Sequence, residues 1–379
     1  MSGRLSAVPI LKKLFCCSGL LAAASPVSAE YALNLPEPAS ELTREVYDLH
    51  MLTAKIALYI TLIVTAVVFY AIFKFRKSKN YEPDQNFHTG KFGTWSWVLV
   101  PIIVLGIDLS ISAPAIKTLH LIEDKTEADM TVKVIGTQWK WIYEYMEDDV
   151  RIVSSMLSEE EAEKAEGEGY LRTVDNPLVL PVGKRIRFLH TATDVLHAWW
   201  VPSITVKKDS IPGYITETWT IIDKEGLYHG QCAENCGRGH SYMPIQVAAV
   251  SQAEYDEWLN NKKQEQLAAL QEASSDKTWS KEELMSKGEA VYKTNCLACH
   301  QANGAGVPGA FPALKDSPVA AGPVDKHIEI VLKGVKGTAM APWASLNDFE
   351  LAAVITYERN AWGNDTGDLV QPAAIKSAR

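Results

Sequence analysis

The chain has 379 residues, 47% of them hydrophobic, and carries 37 Lys plus Arg against 46 Asp plus Glu, a formal charge of −9. This apolar content excludes a disordered or collagen-like chain, and the length allows two or three domains. The acidic balance argues against a nucleic-acid-binding surface and is compatible with a basic protein partner. The six cysteines fall in three close pairs, Cys16/Cys17, Cys232/Cys236 and Cys296/Cys299. A disulfide framework scatters cysteines across loops, so close pairs read as ligand or attachment sites.

Residues 1–29 read as a secretory leader. Lys12 and Lys13 precede the uncharged run Leu14 to Ala29, which ends in Val27-Ser28-Ala29. Cleavage there would remove Cys16 and Cys17; the alternative is an uncleaved first anchor. Residues 40–118 read as a transmembrane hairpin with spans at about 51–74 and 94–116. Pro101 is expected to kink the second span, and Asp108 is its one internal charge. The short loop carries Lys74, Arg76, Lys77, Lys79 and Lys91, whereas the outer flanks are acidic, so the loop is placed in the cytoplasm and the remainder outside.

Residues 130–252 change to short β-rich runs between Gly and Pro turns: Met130–Ile135, Leu178–Leu180, Arg185–Leu189, Glu217–Ile222 and Ile245–Val250. Strands at this spacing predict a β-sandwich or barrel. The acidic stretch Glu159 to Glu168 is expected to be an exposed helical or mobile insertion. Cys232, Cys236, His240 and Met243 follow one another at steps of four, four and three, with His197 35 residues earlier. Two thiolates, two imidazoles and a thioether suit copper better than magnesium or calcium, and zinc sites typically lack methionine. Two sulfurs in one loop can each bridge two metals, and a shared electron then changes little geometry on reduction.

The segment Gly230–Ile245 resembles the dinuclear copper A loop of cytochrome c oxidase subunit II. Asp194-Val195-Leu196-His197 resembles the family's upstream ligand segment, and Gly136–Tyr145 its aromatic segment. The two-span anchor followed by an external cupredoxin-like domain is the same architecture, over residues 40–252. The resemblance implies that His197, Cys232, Cys236, His240 and Met243 ligate a copper pair, and that Glu234 does so through its backbone carbonyl. It implies that the Glu234 carboxylate reaches magnesium at the junction with the catalytic subunit. Trp139 would lie where electrons arrive from a docked cytochrome c, whereas Trp141 is expected in the core. His190 and His229 match no family ligand and read as packing or surface residues. Thr94 stands where many members have a glutamate at the mouth of a proton path; His88 is a candidate substitute.

Residues 253–283 are rich in Glu, Gln, Lys and Ala and read as a helical linker. Cys296-Leu297-Ala298-Cys299-His300 is a haem attachment motif: two thiols reach the vinyl groups at one edge and the adjacent His300 rises to the iron. A thioredoxin-like pair would need a βαβ unit, and zinc two further ligands. Met340, between Gly337 and Pro342, is the candidate sixth ligand, ahead of a helical pattern over Leu346–Tyr357. Residues 284–364 resemble a class I cytochrome c; Pro312 resembles the family proline whose carbonyl orients the haem histidine. His327 is expected on an exposed helix, and the tail, 365–379, is expected to be mobile.

The expected fold is a multidomain membrane protein: a two-helix transmembrane hairpin, an all-β cupredoxin-like sandwich and an all-α class I cytochrome c domain. The resemblance implies subunit II of a terminal oxidase in a bacterial inner membrane, with copper and haem on the outer side. Electrons would come from soluble cytochrome c or an upstream respiratory complex, pass by haem c and copper A, and reach catalytic subunit I, with subunit III also a partner. Oxygen reduction to water and proton translocation would then occur outside this chain. The alternatives are a copper A subunit of a nitrogen-oxide reductase and a copper-storage or copper-delivery protein.

Overall fold

A hydroxyl pair sets the head of the first long apolar stretch. In the computed structural model, which describes residues 34–82, 84–165, 169–273, 277–338, 340–344 and 346–379, Ser40 Oγ accepts from Thr43 N and Thr43 Oγ1 from Ser40 N at the start of helix α1 (Glu41–Lys74). Helix α2 (Lys91–Ile122) runs on through Pro101 and Pro114. Both helices are long and apolar enough to cross a membrane, and no residue of their apolar windows is buried. At 1.5 Å per residue α1 is about 51 Å long, well beyond a hydrocarbon core of about 30 Å, so it extends past the bilayer. The expected leader lies outside the described residues.

The hairpin is tied to the soluble part at both outer ends. Ala39 N donates to Ser203 O, Ser40 Oγ to Ile204 O and Thr43 Oγ1 to Ser203 O. At the far end of α2, Trp219 Nε1 donates to Leu121 O at 2.9 Å, and Arg185 pairs with Asp124 at 2.9 Å while lying over the Trp219 ring.

Ten strands follow: β1 (Met130–Thr137), β2 (Lys140–Tyr145), β3 (Val150–Ser154), β4 (Leu178–Pro181), β5 (Arg185–Ala192), β6 (His197–Trp199), β7 (Lys208–Ser210), β8 (Thr216–Ile221), β9 (Gly226–Gln231) and β10 (Pro244–Val250). One sheet has the order β3-β2-β1-β5-β8, the second β4-β10-β9, and β6-β7 form a ribbon. β1 is antiparallel to β2 and parallel to β5. Alternation selects the core: Val132 and Val134 from β1, Trp141, Tyr143 and Tyr145 from β2, Ile186 and Phe188 from β5. They meet Leu178, Leu180, Ile245 and Val247 of the second sheet. Tyr145 OH donates to Val179 O and accepts from Val179 N, joining the two sheets. Trp141 is fully buried, as expected, and so is His190, bonded to Thr218 Oγ1 and pushed down to about 3 mainly by burial.

The acidic stretch opens with a short helix, α3 (Glu159–Lys164), boxed by Ser158 and Glu161. Helix α4 (Gln252–Ala273) follows β10 directly and lies on the sandwich: Tyr255 and Trp258 pack beside Tyr145, and Gln266 Nε2 donates to Asp149 O. The linker therefore begins as a docked helix.

The C-terminal unit contains α5 (Lys281–Asn295), α6 (Leu297–His300), α7 (Val324–Lys333), α8 (Asp348–Asn360) and α9 (Pro372–Ala378). Ser280 with Glu283 and Asn347 with Glu350 form capping boxes at the heads of α5 and α8. Tyr292, Tyr357 and Trp362 form an aromatic cluster where those two helices meet. Two expectations are corrected. His327 is 2% exposed, with Nε2 2.8 Å from Glu358 Oε2, because the apolar stripe of α7 turns it inward with Ile328, Val331 and Leu332. The tail is packed, since Val370 and Ile375 enter the core, Gln371 bonds the backbone of Trp279 in both directions, and Arg379 pairs with Asp348. Ile375→Ala should therefore destabilise the helical unit by about 2–5 kcal/mol. The measure is its thermal midpoint followed by haem absorbance, and an unchanged midpoint would show a tail that contributes nothing.

Candidate metal and haem sites

Strand β6 and the loop between β9 and β10 converge on one point. His197 Nδ1 lies 3.8 Å from Cys232 Sγ, the two sulfurs are 3.8 Å apart, and His240 Nδ1 lies 3.5 Å from Cys236 Sγ. The Glu234 carbonyl is 3.4 Å from Cys232 Sγ. Both cysteines are free and buried, and Met243 is 1% exposed, its carbonyl accepting from Cys232 N. A disulfide needs sulfurs about 2.05 Å apart. At 3.8 Å they are separate donors, close enough for one soft cation to touch both. His197, Cys232 and Cys236 form the metal-capable cluster found among the described residues.

Electrostatics prepare this donor set. The hydrogen bond shared by the two sulfurs pulls Cys232 down and holds Cys236 above the ordinary thiol range. The sulfur pair thus keeps one proton that a soft cation would displace. Asp194, three residues before His197, accepts from His197 Nε2 at 2.9 Å. That bond fixes the tautomer and leaves Nδ1 facing the sulfurs. Burial opposes a charge on His197, but the hydrogen bonds to Asp194 and Cys232 outweigh it and raise its pKa. Asp194 also accepts from Gln138 N at 2.8 Å and from Val195 N at 2.7 Å, so it locks the β1–β2 turn to the ligand strand.

The loop is held from the other side by that turn. Gln138 Nε2 and Trp139 Nε1 both donate to the Cys236 carbonyl, at 2.8 and 3.0 Å. Two glycines permit these approaches. A Cβ on Gly136 would lie 2.8 Å from the His197 ring, and one on Gly239 2.3 Å from the Trp139 indole. Asp194 and Gln138 received no role from sequence; the position of Asp194 three residues before His197 is the signal that could have found it.

In the helical unit, Cys296 caps α5 and Cys299 and His300 lie on α6. His300 Nδ1 is 2.9 Å from Pro312 O. Donation to that carbonyl leaves Nε2 free of its proton and suited to iron. Burial holds both thiols above their ordinary range. Met340 is half-buried in the α7–α8 loop; its N donates to Thr338 Oγ1 and its carbonyl accepts from Val335 N. The donor chemistry fits a copper pair in the first site and a covalent haem in the second.

The β unit and the helical unit touch beside the first site. The Phe311 ring meets Trp139 edge-on at 6.3 Å between centroids. Lys140, pulled down to about 8 chiefly by burial, donates to Asn295 Oδ1 and Thr294 O.

Comparison with known proteins bears on three stretches of the chain. Three family models match: cytochrome c oxidase subunit II, transmembrane domain, over residues 28–117; its periplasmic domain, over 130–250; and cytochrome c oxidase, cbb3-type, subunit III, over 283–357. The chain is 36% identical to a Rickettsia bellii protein named as a probable cytochrome c oxidase subunit 2, over 61% of this chain and 84% of that one. It is 33% identical to cytochrome c oxidase subunit 2 of Cereibacter sphaeroides, over 64% and 88%. A solved periplasmic domain of subunit II of cytochrome oxidase from Bradyrhizobium japonicum is 38% identical, covering 37% of this chain and 96% of that one, with a TM-score of 0.34. The chain belongs to the cytochrome c oxidase subunit II family and joins two membrane-length helices and a copper A-type β-domain to a C-terminal cytochrome c domain.

Proposed function

We propose that the chain is the subunit of an oxygen-reducing terminal oxidase that receives electrons outside a bacterial inner membrane and delivers them to a separate catalytic subunit. The observation that carries this reading is the buried cluster of His197, Cys232 and Cys236 donors, with His240 Nδ1 beside Cys236 Sγ and the Glu234 carbonyl beside Cys232 Sγ, in the same chain as a haem attachment motif. When bound, a copper pair and a haem c supply reversible one-electron carriage with little rearrangement. The oxygen-reducing site and proton translocation lie in catalytic subunit I, and subunit III completes the assembly. External cytochrome c or an upstream respiratory complex is the donor.

Each residue then has a task. Cys232 and Cys236 supply thiolates, and His197, His240 and Met243 complete the side-chain donors. Glu234 offers its carbonyl to the copper pair and its carboxylate to magnesium at the subunit junction. Asp194 holds the His197 tautomer, and Pro312 does the same for His300. Cys296 and Cys299 would hold the haem through thioethers, and His300 and Met340 would hold its iron. Trp139, hydrogen-bonded to the Cys236 carbonyl, is the aromatic contact through which electrons come in. The positive loop between α1 and α2 sets the cytoplasmic side.

Oxygen consumption by the purified complex, with two coppers and one haem c per chain, tests the reading; consumption of a nitrogen oxide instead would refute it. Cys232→Ser should abolish the mixed-valence copper spectrum and leave the haem c bands intact. Asp194→Asn should weaken copper retention about 10–100-fold in a chelator competition, since a ligand's hydrogen-bond partner is typically worth that much. Met340→Ala should lower the haem potential and remove the sulfur-to-iron band; if neither changes, another residue is the axial ligand.

A further inference from the structure

Lys140 sits on β2 next to Trp139 and is 5% exposed although it carries an ammonium. It is buried against the other soluble unit. Its Nζ donates to Asn295 Oδ1 at 2.6 Å and Thr294 O at 3.2 Å, and lies 4.6 Å above the Trp343 ring. Thr294 and Asn295 are the two residues before Cys296, and Trp343 follows Met340 by three, its own N–H fixed to Val331 O. One cation therefore grips both segments that carry the candidate haem residues. The residue before Lys140, Trp139, meets Phe311, the neighbour of Pro312 that holds His300.

We propose that Lys140 is a positioning residue that seats the chain's own haem-bearing unit on the Trp139 face, so that the tethered unit covers the indole and an external donor meets the haem unit first. The chemistry of the contact supports this role. Taking an ammonium out of water costs several kcal/mol unless acceptors replace the lost hydration. Here a carbonyl, an amide oxygen and an aromatic face do so, and all three come from the haem-bearing unit. Away from that unit Lys140 would return to water, so burial cost and contact gain nearly offset each other. Such a contact specifies orientation more than it adds affinity. Affinity is supplied by the covalent tether, which holds the two units at high effective concentration. The contact with Trp139 gives the orientation its purpose: it places the ring beside Pro312 against the indole bonded to the Cys236 carbonyl.

The inference rests on the two redox sites proposed above, and the test separates the two. In the intact purified oxidase, hydroxyl-radical footprinting of Trp139 reads the seating. Flash reduction of haem c reads the transfer, in which the haem iron loses one electron and the copper pair gains one with no bond broken. Lys140→Met should raise Trp139 labelling at least fivefold and slow the transfer at least tenfold, with both absorption signatures unchanged. Asn295→Asp, which keeps an acceptor, should leave both within twofold. Unchanged labelling and rate in Lys140→Met, with both centres loaded, would overturn the seating role; absence of the copper or haem signature from the unsubstituted chain would overturn the underlying reading. If Lys140→Met does not assemble, Asn295→Leu decides by the same two readouts, since it deletes the shortest bond from the haem side.

Discussion

Two side-chain donors close on one backbone acceptor. The bonds from Gln138 Nε2 and Trp139 Nε1 to the Cys236 carbonyl fix the ligand loop to the turn between the first two strands. A loop joining β9 to β10 has ample freedom of its own, and its two thiols are useful only if the imidazoles stay opposite them. Asp194 completes the constraint by holding both the backbone of that turn and the His197 ring. The ligand loop, the β1–β2 turn and the segment leading to β6 are three distant parts of the chain made into one rigid object by a few hydrogen bonds. The low-dielectric surroundings strengthen those bonds and make each costly to lose.

Much of this was legible in the sequence because the chemistry is periodic or local. The hairpin followed from two long uncharged stretches, the main strands from β-rich runs between turns, and the candidate ligand loop from the spacing of Cys232, Cys236, His240 and Met243. The haem motif needs no tertiary information, as its three functional residues share five positions. What escaped notice depends on contacts between distant segments. Nothing local marks Gln138 or Lys140 as special, because their acceptors lie 98 and 155 residues away. His327 looked solvent-facing because polar residues surround it in sequence, yet the one apolar stripe of its helix turns it inward. The tail looked free because it is short and rich in small residues, but Val370 and Ile375 suffice to fasten it.

The aromatic residues of this segment divide by position. Trp141, Tyr143 and Tyr145 share one face of β2 and build the core. Trp139, just before the strand, is only half-buried at the edge of that core and lies against Gly239 and Phe311. The turn thus converts a run of aromatic residues into a structural set and one contact residue. Lys140 faces away from the core and so belongs to the same outward side as the contact.

The double attachment of the helical hairpin has a mechanical meaning. The first helix is stitched to the 203–204 backbone at its head, and the second is clasped by Trp219 and Arg185 at its foot. A platform bolted at two points can neither swing nor tilt freely above the surface beneath it. The altitude of the sulfur pair over the bilayer is thereby a property of the polypeptide itself, set before any neighbouring subunit arrives.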